Sequence, residues 1–372
     1  MVKTSNRNSE RRALLITYPD DLIIEEFVEL ALAAEYEPVS TQTQKYLSGS
    51  KYGISESKVR TIKDSVEDLN VGVILVDESL RTTQIYNLAK IAKVEVKDRE
   101  KLILEIFNRR ASSAETKLQV QLAEISYDMP RAKEKVRLAK LSEQPGFHGL
   151  GVYEIDVLFR SMKRRRSLIK KKIIQIRKRR ELHRTHRRRG GFPIISLSGY
   201  TGAGKTMLFN VLTAEHKEEG SGVFTTLSTY TRKMMIENRK VMLSDTVGFI
   251  SRLPTYMVEA FRSTLEELNF ADLILLVMDS SHDVEEMERR YRSSKKIFAA
   301  LKVSSSNILY VLNKVDLSSQ EQVIEKALEL KLPPDKVILT SAKESIGMEH
   351  LKKRISDYIP NAERVDPFVR YI

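Results

Sequence analysis

Short apolar runs separated by amphipathic stretches recur through most of the chain. In the first hundred residues LLITY and VGVILV read as buried strands, while LIIEEFVELALAA and IYNLAKIA carry the spacing of helices with one apolar face. Strand and helix alternating in this way predict a parallel sheet. From about Glu100 the pattern turns helical through EKLILEIFNRRASSAETKLQVQLAEI, with Leu118, Leu122 and Ile125 at helical spacing. Pro130 predicts an interruption or a kink there. A second long helix is expected over residues 153–185, where Met162, Ile169, Ile173 and Ile176 mark one face and charges surround it. Two long helices with one apolar stripe each predict an antiparallel hairpin. Its turn is QPGFHGLG, and RRRGGFP leads out of it as a hinge.

From Phe192 onward PIISLS, VMLSDT, ADLILLVMD, NILYVLNK and KVILTSA read as strands. Helices are expected between them near residues 204–214, 255–268, 284–302, 319–330 and 347–358. That alternation describes a doubly wound nucleotide-binding sheet. The organisation expected is therefore an α/β domain over 1–100, a helical hairpin over 101–189, a second α/β domain over 190–360 and a tail over 361–372.

Composition narrows the setting. With no cysteine among 372 residues there is neither a disulfide nor a thiolate metal site, and a reducing, cytoplasmic location is expected. The N-terminus lacks an apolar segment of signal-peptide length, and no apolar run approaches a membrane span. Charge is concentrated in one place: residues 160–189 hold 16 Lys and Arg against the single acid Glu181. That segment carries +15 of a total of +13, so the remainder is close to neutral.

Candidate chemistry begins at GYTGAGKT, Gly199 to Thr206, which fits G-x-x-x-x-G-K-[ST] between a strand and a helix. Glycines at 199, 202 and 204 would let the backbone curl so that its N–H groups point at phosphate oxygens, at the positive end of a helix, with Tyr200, Thr201 and Ala203 among the nucleotide-binding positions of the loop. Lys205 would reach the β- and γ-phosphates, and Thr206 would ligate Mg²⁺. DTVGF follows the strand VMLS. Asp245 there would hold Mg²⁺ through a water, and the Gly248 N–H would meet the γ-phosphate. NKVD, Asn313 with Lys314 to Asp316, selects the base: the Asp316 carboxylate can accept both N1–H and N2–H₂ of guanine, a pair that adenine does not offer. SAK, Ser341 to Lys343, ends the next strand and would bring the Ala342 N–H to guanine O6. Together these choose GTP over ATP.

GSGVFTTLSTYTR, between the P-loop and DTVGF, reads as a switch loop. Thr226 is chosen to close over Mg²⁺ and the γ-phosphate, with Thr225 as the alternative. Many GTPases place a water-orienting glutamine directly after D-x-x-G; this chain has Phe249, which cannot polarise water, so slow intrinsic hydrolysis is expected.

Over residues 10–360 the sequence resembles the HflX family of translational GTPases. VDESLRTTQIYNLAKI, VKDREKLILEIFNRRASSAETKLQVQLAEISYDMPR and FTTLSTYTR carry the likeness beyond the shared GTPase signatures. The resemblance implies an N-terminal α/β domain with a long helical hairpin followed by a Ras-like P-loop GTPase domain. It also implies association with the large ribosomal subunit and, from bacterial relatives, a part in splitting ribosomes under stress. The family's usual P-loop has Asn where this chain has Gly202, so potassium-stimulated hydrolysis is not expected. GLGVYEID, Gly149 to Asp156, departs from the family's G-x-G-E-T-Q-L-E.

The basic helix bears on partners. Like charges at i,i+4 repel, and a polyanion would relieve them. Arg160 to Arg189 is therefore expected to meet ribosomal RNA, ahead of a merely solvated face or an anionic membrane. Aromatics are absent from Arg160 to Gly191, which favours reading of backbone shape and charge over base stacking. His183 and His186 are expected to add phosphate contacts and not to bind metal. A monomer without a membrane partner is expected. The alternative reading is an RNA-binding or ribosome-binding scaffold with a structural or very slowly hydrolysing nucleotide site; an RNA-remodelling ATPase is opposed by NKVD.

Overall fold

The computed structural model describes residues 10–47, 51–142, 150–189, 192–214, 224, 230–246 and 248–359. Contacts divide the chain into two units, one of residues 1–173 with 254–260, the other of residues 174–253 with 261–372.

In the first unit β1 (Arg12–Thr17), α1 (Asp21–Ala33), β2 (Glu37–Thr43), α2 (Glu56–Asp68), β3 (Val73–Val76), α3 (Thr82–Ala92) and β4 (Glu95–Asp98) form a four-stranded sheet ordered β2-β1-β3-β4. Every pair is parallel, as the alternating pattern predicts. Leu14, Ile16, Ile74, Val76, Ile62 and Leu88 belong to the core over this sheet. The carboxyl edge is closed by ion pairs. Arg99, whose side chain is 4% exposed, reaches Glu26 at 2.5 Å and Asp77 at 2.6 Å. Thr17 donates to the other Asp77 oxygen at 2.7 Å, and Arg131 lies 3.2 Å from Asp98.

Two long helical features follow, with differences from the sequence pattern. The helix expected from Glu100 is two helices, α4 (Arg99–Arg110) and α5 (Ala114–Ser142). The break falls at Ala111, whose backbone is extended, and Ser113 starts the next helix by a reciprocal exchange: Thr116 N–H to Ser113 Oγ at 3.1 Å and Ser113 N–H to Thr116 Oγ1 at 3.2 Å. Pro130 lies inside α5 without ending it. The second long helix, α6, runs Leu150–Arg189, longer at both ends than the expected 153–185, so Leu150 and Gly151 are helical and not turn. The expected stripe is real: Ile169 is buried and Met162, Ile173 and Ile176 are partly covered, between exposed Arg160, Lys163, Arg164, Arg165, Lys170, Lys171 and Lys172. Residues 143–149, most of the expected turn, lie outside the described residues.

The second unit contains β5 (Ile194–Gly199), α7 (Lys205–Thr213), β6 (Tyr230–Ile236), β7 (Arg239–Asp245), β8 (Leu273–Asp279), α10 (Val284–Leu301), β9 (Ile308–Asn313), α11 (Gln320–Glu329), β10 (Val337–Leu339) and α12 (Met348–Tyr358). The segment expected as one helix near 255–268 is instead α8 (Thr255–Ala260), the short α9 (Arg262–Leu265) and a 3₁₀ stretch Glu266–Phe270; α8 belongs to the first unit. The sheet order is β10-β9-β8-β5-β7-β6, parallel except for β6, which pairs antiparallel with β7. Tyr230 to Arg232, read as switch loop from the sequence, are the start of β6. Chain direction across the sheet reverses beside β5, with β7 on one side and β8 on the other. Ligands of open α/β sheets bind at the carboxyl end of such a point.

Candidate functional site

The P-loop leaves β5 at that point. Gly199 has φ +138°, and a Cβ there would lie 2.2 Å from the Val277 carbonyl oxygen; Gly204 has φ +88°, and a Cβ there would lie 2.3 Å from Asn313 Nδ2. Only glycine fits either position. Gly204 then caps α7 without a side chain, so the first N–H groups of the helix point into the loop.

Lys205 is buried and donates to the Tyr200 carbonyl at 2.6 Å. Burial disfavours its ammonium and pushes its pKa down to about 8, against the opposing pull of Asp245. Thr206, also buried, donates to Asp245 Oδ2 at 3.3 Å. Gly248 completes the cluster, since a Cβ there would lie 2.9 Å from Thr201 Cγ2 and 3.0 Å from Lys205 Nζ. The lysine of the P-loop and the glycine of D-x-x-G, 43 positions apart in sequence, are thus neighbours. Thr226 and Thr225 lie outside the described residues.

Phe249 explains its own departure from the common glutamine. It is 2% exposed, and its ring meets Phe298 of α10 edge-on at 5.8 Å. Its backbone is clasped by the P-loop, donating to Gly199 O at 3.0 Å and accepting from Thr201 N–H at 2.8 Å. It is a core residue that ties D-x-x-G to the P-loop.

Asn313, at the end of β9, donates from Nδ2 to Ala203 O at 2.9 Å and accepts at Oδ1 from the Ala342 N–H at 2.9 Å and from Thr340 at 3.3 Å. One side chain therefore joins the P-loop to S-A-K. The Ala342 N–H is already engaged, so donation to guanine O6 would share or exchange that bond. Ser341 is buried and anchors the loop through paired backbone bonds with Ile346, each 3.0 Å. Asp316 and Lys343 are exposed, and Lys314 has a left-handed backbone with φ +66°.

With this geometry in place, comparison with known proteins decides the family. Models described as GTP-binding GTPase N-terminal, GTP-binding GTPase Middle Region and 50S ribosome-binding GTPase match residues 22–108, 110–187 and 194–314 in succession. The GTPase HflX of Methanocaldococcus jannaschii is 43% identical over 336 residues, covering 90% of this chain and 83% of its own. The chain belongs to the HflX family of GTPases. A second relative, the GTPase HflX of Caldanaerobacter subterraneus, is 35% identical over 358 residues, covering 94% of this chain and 80% of its own. Among solved structures, the complex of SsGBP with GDP has a TM-score of 0.54 at 28% identity and covers 93% of this chain and 98% of its own. A GTP-binding protein from Sulfolobus solfataricus in complex with GDP gives 0.52, also at 28% identity, with the same coverage.

As an HflX-family member the chain is a P-loop GTP hydrolase of mixed α/β fold. The structure of this HflX-family chain also brings in residues that no sequence signature flagged. Arg290 of α10 lies over the ring of the P-loop residue Tyr200 at 4.8 Å, and Asp279, the last residue of β8, pairs with Lys314 at 2.6 Å. The available signal for Asp279 was an acid at a strand's carboxyl end, which the motifs did not require.

Proposed function

We propose that this GTPase reads guanine through Asp316, holds the triphosphate in the loop Gly199–Thr206, and uses Lys205 and the Gly248 N–H on the γ-phosphate. The observation carrying this reading is the junction of four separated motifs at one sheet edge, with Gly248 against Lys205 and Asn313 joining Ala203 to Ala342. The neighbouring Thr206 hydroxyl and Asp245 carboxylate are hard oxygen donors that suit Mg²⁺, and Thr226 would join them. The ion would supply charge neutralisation on the phosphate oxygens. The remaining work falls to the chain: Lys205 as a fixed cation, backbone N–H groups as phosphate donors, and Phe249 as a clasp that orients no water. Intrinsic turnover is accordingly slow. Binding assays with GTP and ATP analogues test the site; equal affinity for both, or no loss with Lys205→Ala, would overturn it.

The partner we propose is the large ribosomal subunit, met through ribosomal RNA along Arg160–Arg189 in the cytoplasm, with dissociation or rescue of ribosomes as the output. Supporting this reading, the described part of α6 presents cationic side chains around a narrow apolar stripe, and no helix among the described residues is long and apolar enough to cross a membrane. Phosphate contacts release counterions, so association should weaken steeply with salt. Cosedimentation with separated subunits in each nucleotide state, at rising salt, is the test. Salt-insensitive pelleting, or pelleting unaffected by Arg164→Glu with Arg165→Glu, would defeat it. Phe249's burial favours one rival, a scaffold whose site turns over negligibly; single-turnover hydrolysis that large subunits fail to accelerate would support that rival instead.

A further inference from the structure

Strand β8 ends at Asp279 and leads into the loop of D-S-S-H-D, Asp279 to Asp283, a stretch outside every nucleotide signature of the sequence. It is nevertheless built around N-K-x-D. The Asp279 side chain is 3% exposed, and its Oδ2 lies 2.6 Å from Lys314 Nζ and 3.5 Å from His282 Nε2. Its Oδ1 accepts from the Ser281 N–H at 3.0 Å and from the Ser281 hydroxyl at 2.6 Å. Ser280 donates twice to the Asn313 carbonyl, from N–H at 2.9 Å and from Oγ at 2.8 Å. Lys326 of α11 fastens the loop from outside, donating to Ser280 O at 2.9 Å and to His282 O at 2.7 Å. Strand register enforces the match, because Asp279 is paired with Asn313 across the parallel β8–β9 ladder.

A carboxylate this buried is tolerated when a cation and hydrogen bonds hold it. Burial pushes Asp279 upward, but Lys314 and Ser281 together outweigh it and keep the carboxyl below its ordinary range. The consequence for Lys314 matters more. Its side chain is 35% exposed, on a four-carbon stem that would otherwise sample many rotamers. Fixing the ammonium fixes the stem, and a group ordered beforehand does not have to be ordered when a ligand arrives.

We propose that Asp279 is a positioning residue of the guanine site, holding Lys314 while Ser280 holds the Asn313 backbone, so that N-K-x-D is preorganised for the base. The inference rests on the guanine reading of Asn313 to Asp316. Because the contact lies on the base side, it acts on GDP and GTP alike and leaves the chemical step alone. Asp279→Asn keeps the side chain's size and removes its charge.

The test uses the full chain, with equilibrium binding of fluorescent GDP and a non-hydrolysable GTP analogue, and single-turnover hydrolysis at saturating GTP. Asp279→Asn should weaken both nucleotides by the same factor, about tenfold for one charge-assisted bond. The saturated hydrolysis rate should stay within about twofold of wild type, since uniform binding is what has been lost. Lys314→Met should show a similar loss, and adding Asp279→Asn to it should add nothing, which is the mark of one shared interaction. Unchanged affinity in Asp279→Asn, or losses that multiply in the double variant, would overturn the proposal. Should Asp279→Asn fail to fold, Ser281→Ala removes only the 2.6 Å hydroxyl bond. A loss of about two- to threefold in the same direction supports the idea, and no loss overturns it. Asp316→Asn in the same assay separates the two levels. If it leaves guanine preference over xanthine unaltered, the guanine reading has failed; if it shifts preference while Asp279→Asn changes nothing, only the positioning role has failed.

Discussion

At the carboxyl edge of the N-terminal sheet, Asp77 and Asp98 close on the protein's own arginines, Arg99 and Arg131, and Thr17 donates to Asp77. At the same edge of the GTPase sheet, Thr206 and Asp245 are present too, but the loop beside them is made of Gly199, Gly202 and Gly204. Both sheets are α/β layers, parallel apart from β6, and both gather acids and hydroxyls at one edge. In the first, a guanidinium occupies the edge and the acids become part of the core. In the second, glycines withhold side chains at Gly199 and Gly204, where a Cβ would meet the Val277 carbonyl or Asn313. Fold alone therefore does not locate the chemistry; what stands at the strand ends does.

The sharpest way to break this comparison is to remove the internal cation. Arg99→Met removes the cation that faces buried Glu26 and Asp77 and should cost about 3–5 kcal/mol, read as an earlier urea transition of the full chain. A loss below about 1 kcal/mol would mean that the edge is not closed by charge.

The next largest effect concerns Lys205, whose pKa is pushed from 10.5 to about 8 by burial. Between those values the unfolded chain keeps the proton that the folded chain has released, so stability without nucleotide rises with pH across that window. The total gain is about 3–4 kcal/mol, from about 1.4 kcal/mol per pKa unit. Lys205→Met should abolish that rise in a series of urea melts from pH 7 to pH 10.5; an identical rise in both proteins would show that another group is responsible.

Asp316→Asn is smaller in energy, about 1–3 kcal/mol, but changes identity: preference should move from guanosine towards xanthosine nucleotides in competition binding. Smallest of all is Gly202→Asn. Nothing lies within 4 Å of a Cβ built at Gly202, and Asn tolerates its φ of +79°. It should cost under about 1 kcal/mol, whereas Gly204→Ala at a 2.3 Å approach to Asn313 should cost distinctly more in parallel melts.

The nucleotide half of the fold was legible because its strands are continuous apolar runs buried on both faces, β8 and β9 throughout. The elements that escaped are those with little apolar content. Strand β2 reads EPVSTQT and is mostly half-covered, and β6 reads YTRKMMI with only Met234 and Ile236 buried at the sheet's edge. Helix α2 did carry a signal, Val59, Ile62 and Val66 at helical spacing, within an otherwise polar stretch. The P-loop, D-x-x-G and N-K-x-D could be located in sequence because local spacing encodes them. The pairing of Asp279 with Lys314 could not, since it depends on register between two strands 35 positions apart.

The excursion of residues 254–260 into the first unit has a practical outcome. A fragment cut at the motif boundary, from about Phe192 onward, would keep every nucleotide signature yet strip α8 of the helix it packs on, α5, and leave Tyr256 without the Glu100 carboxylate that accepts its hydroxyl at 2.9 Å. Met257, fully covered in the intact chain, lies on α8. Excised in that way, the catalytic half should be prone to self-association, and its turnover would be a poor guide to that of the whole chain.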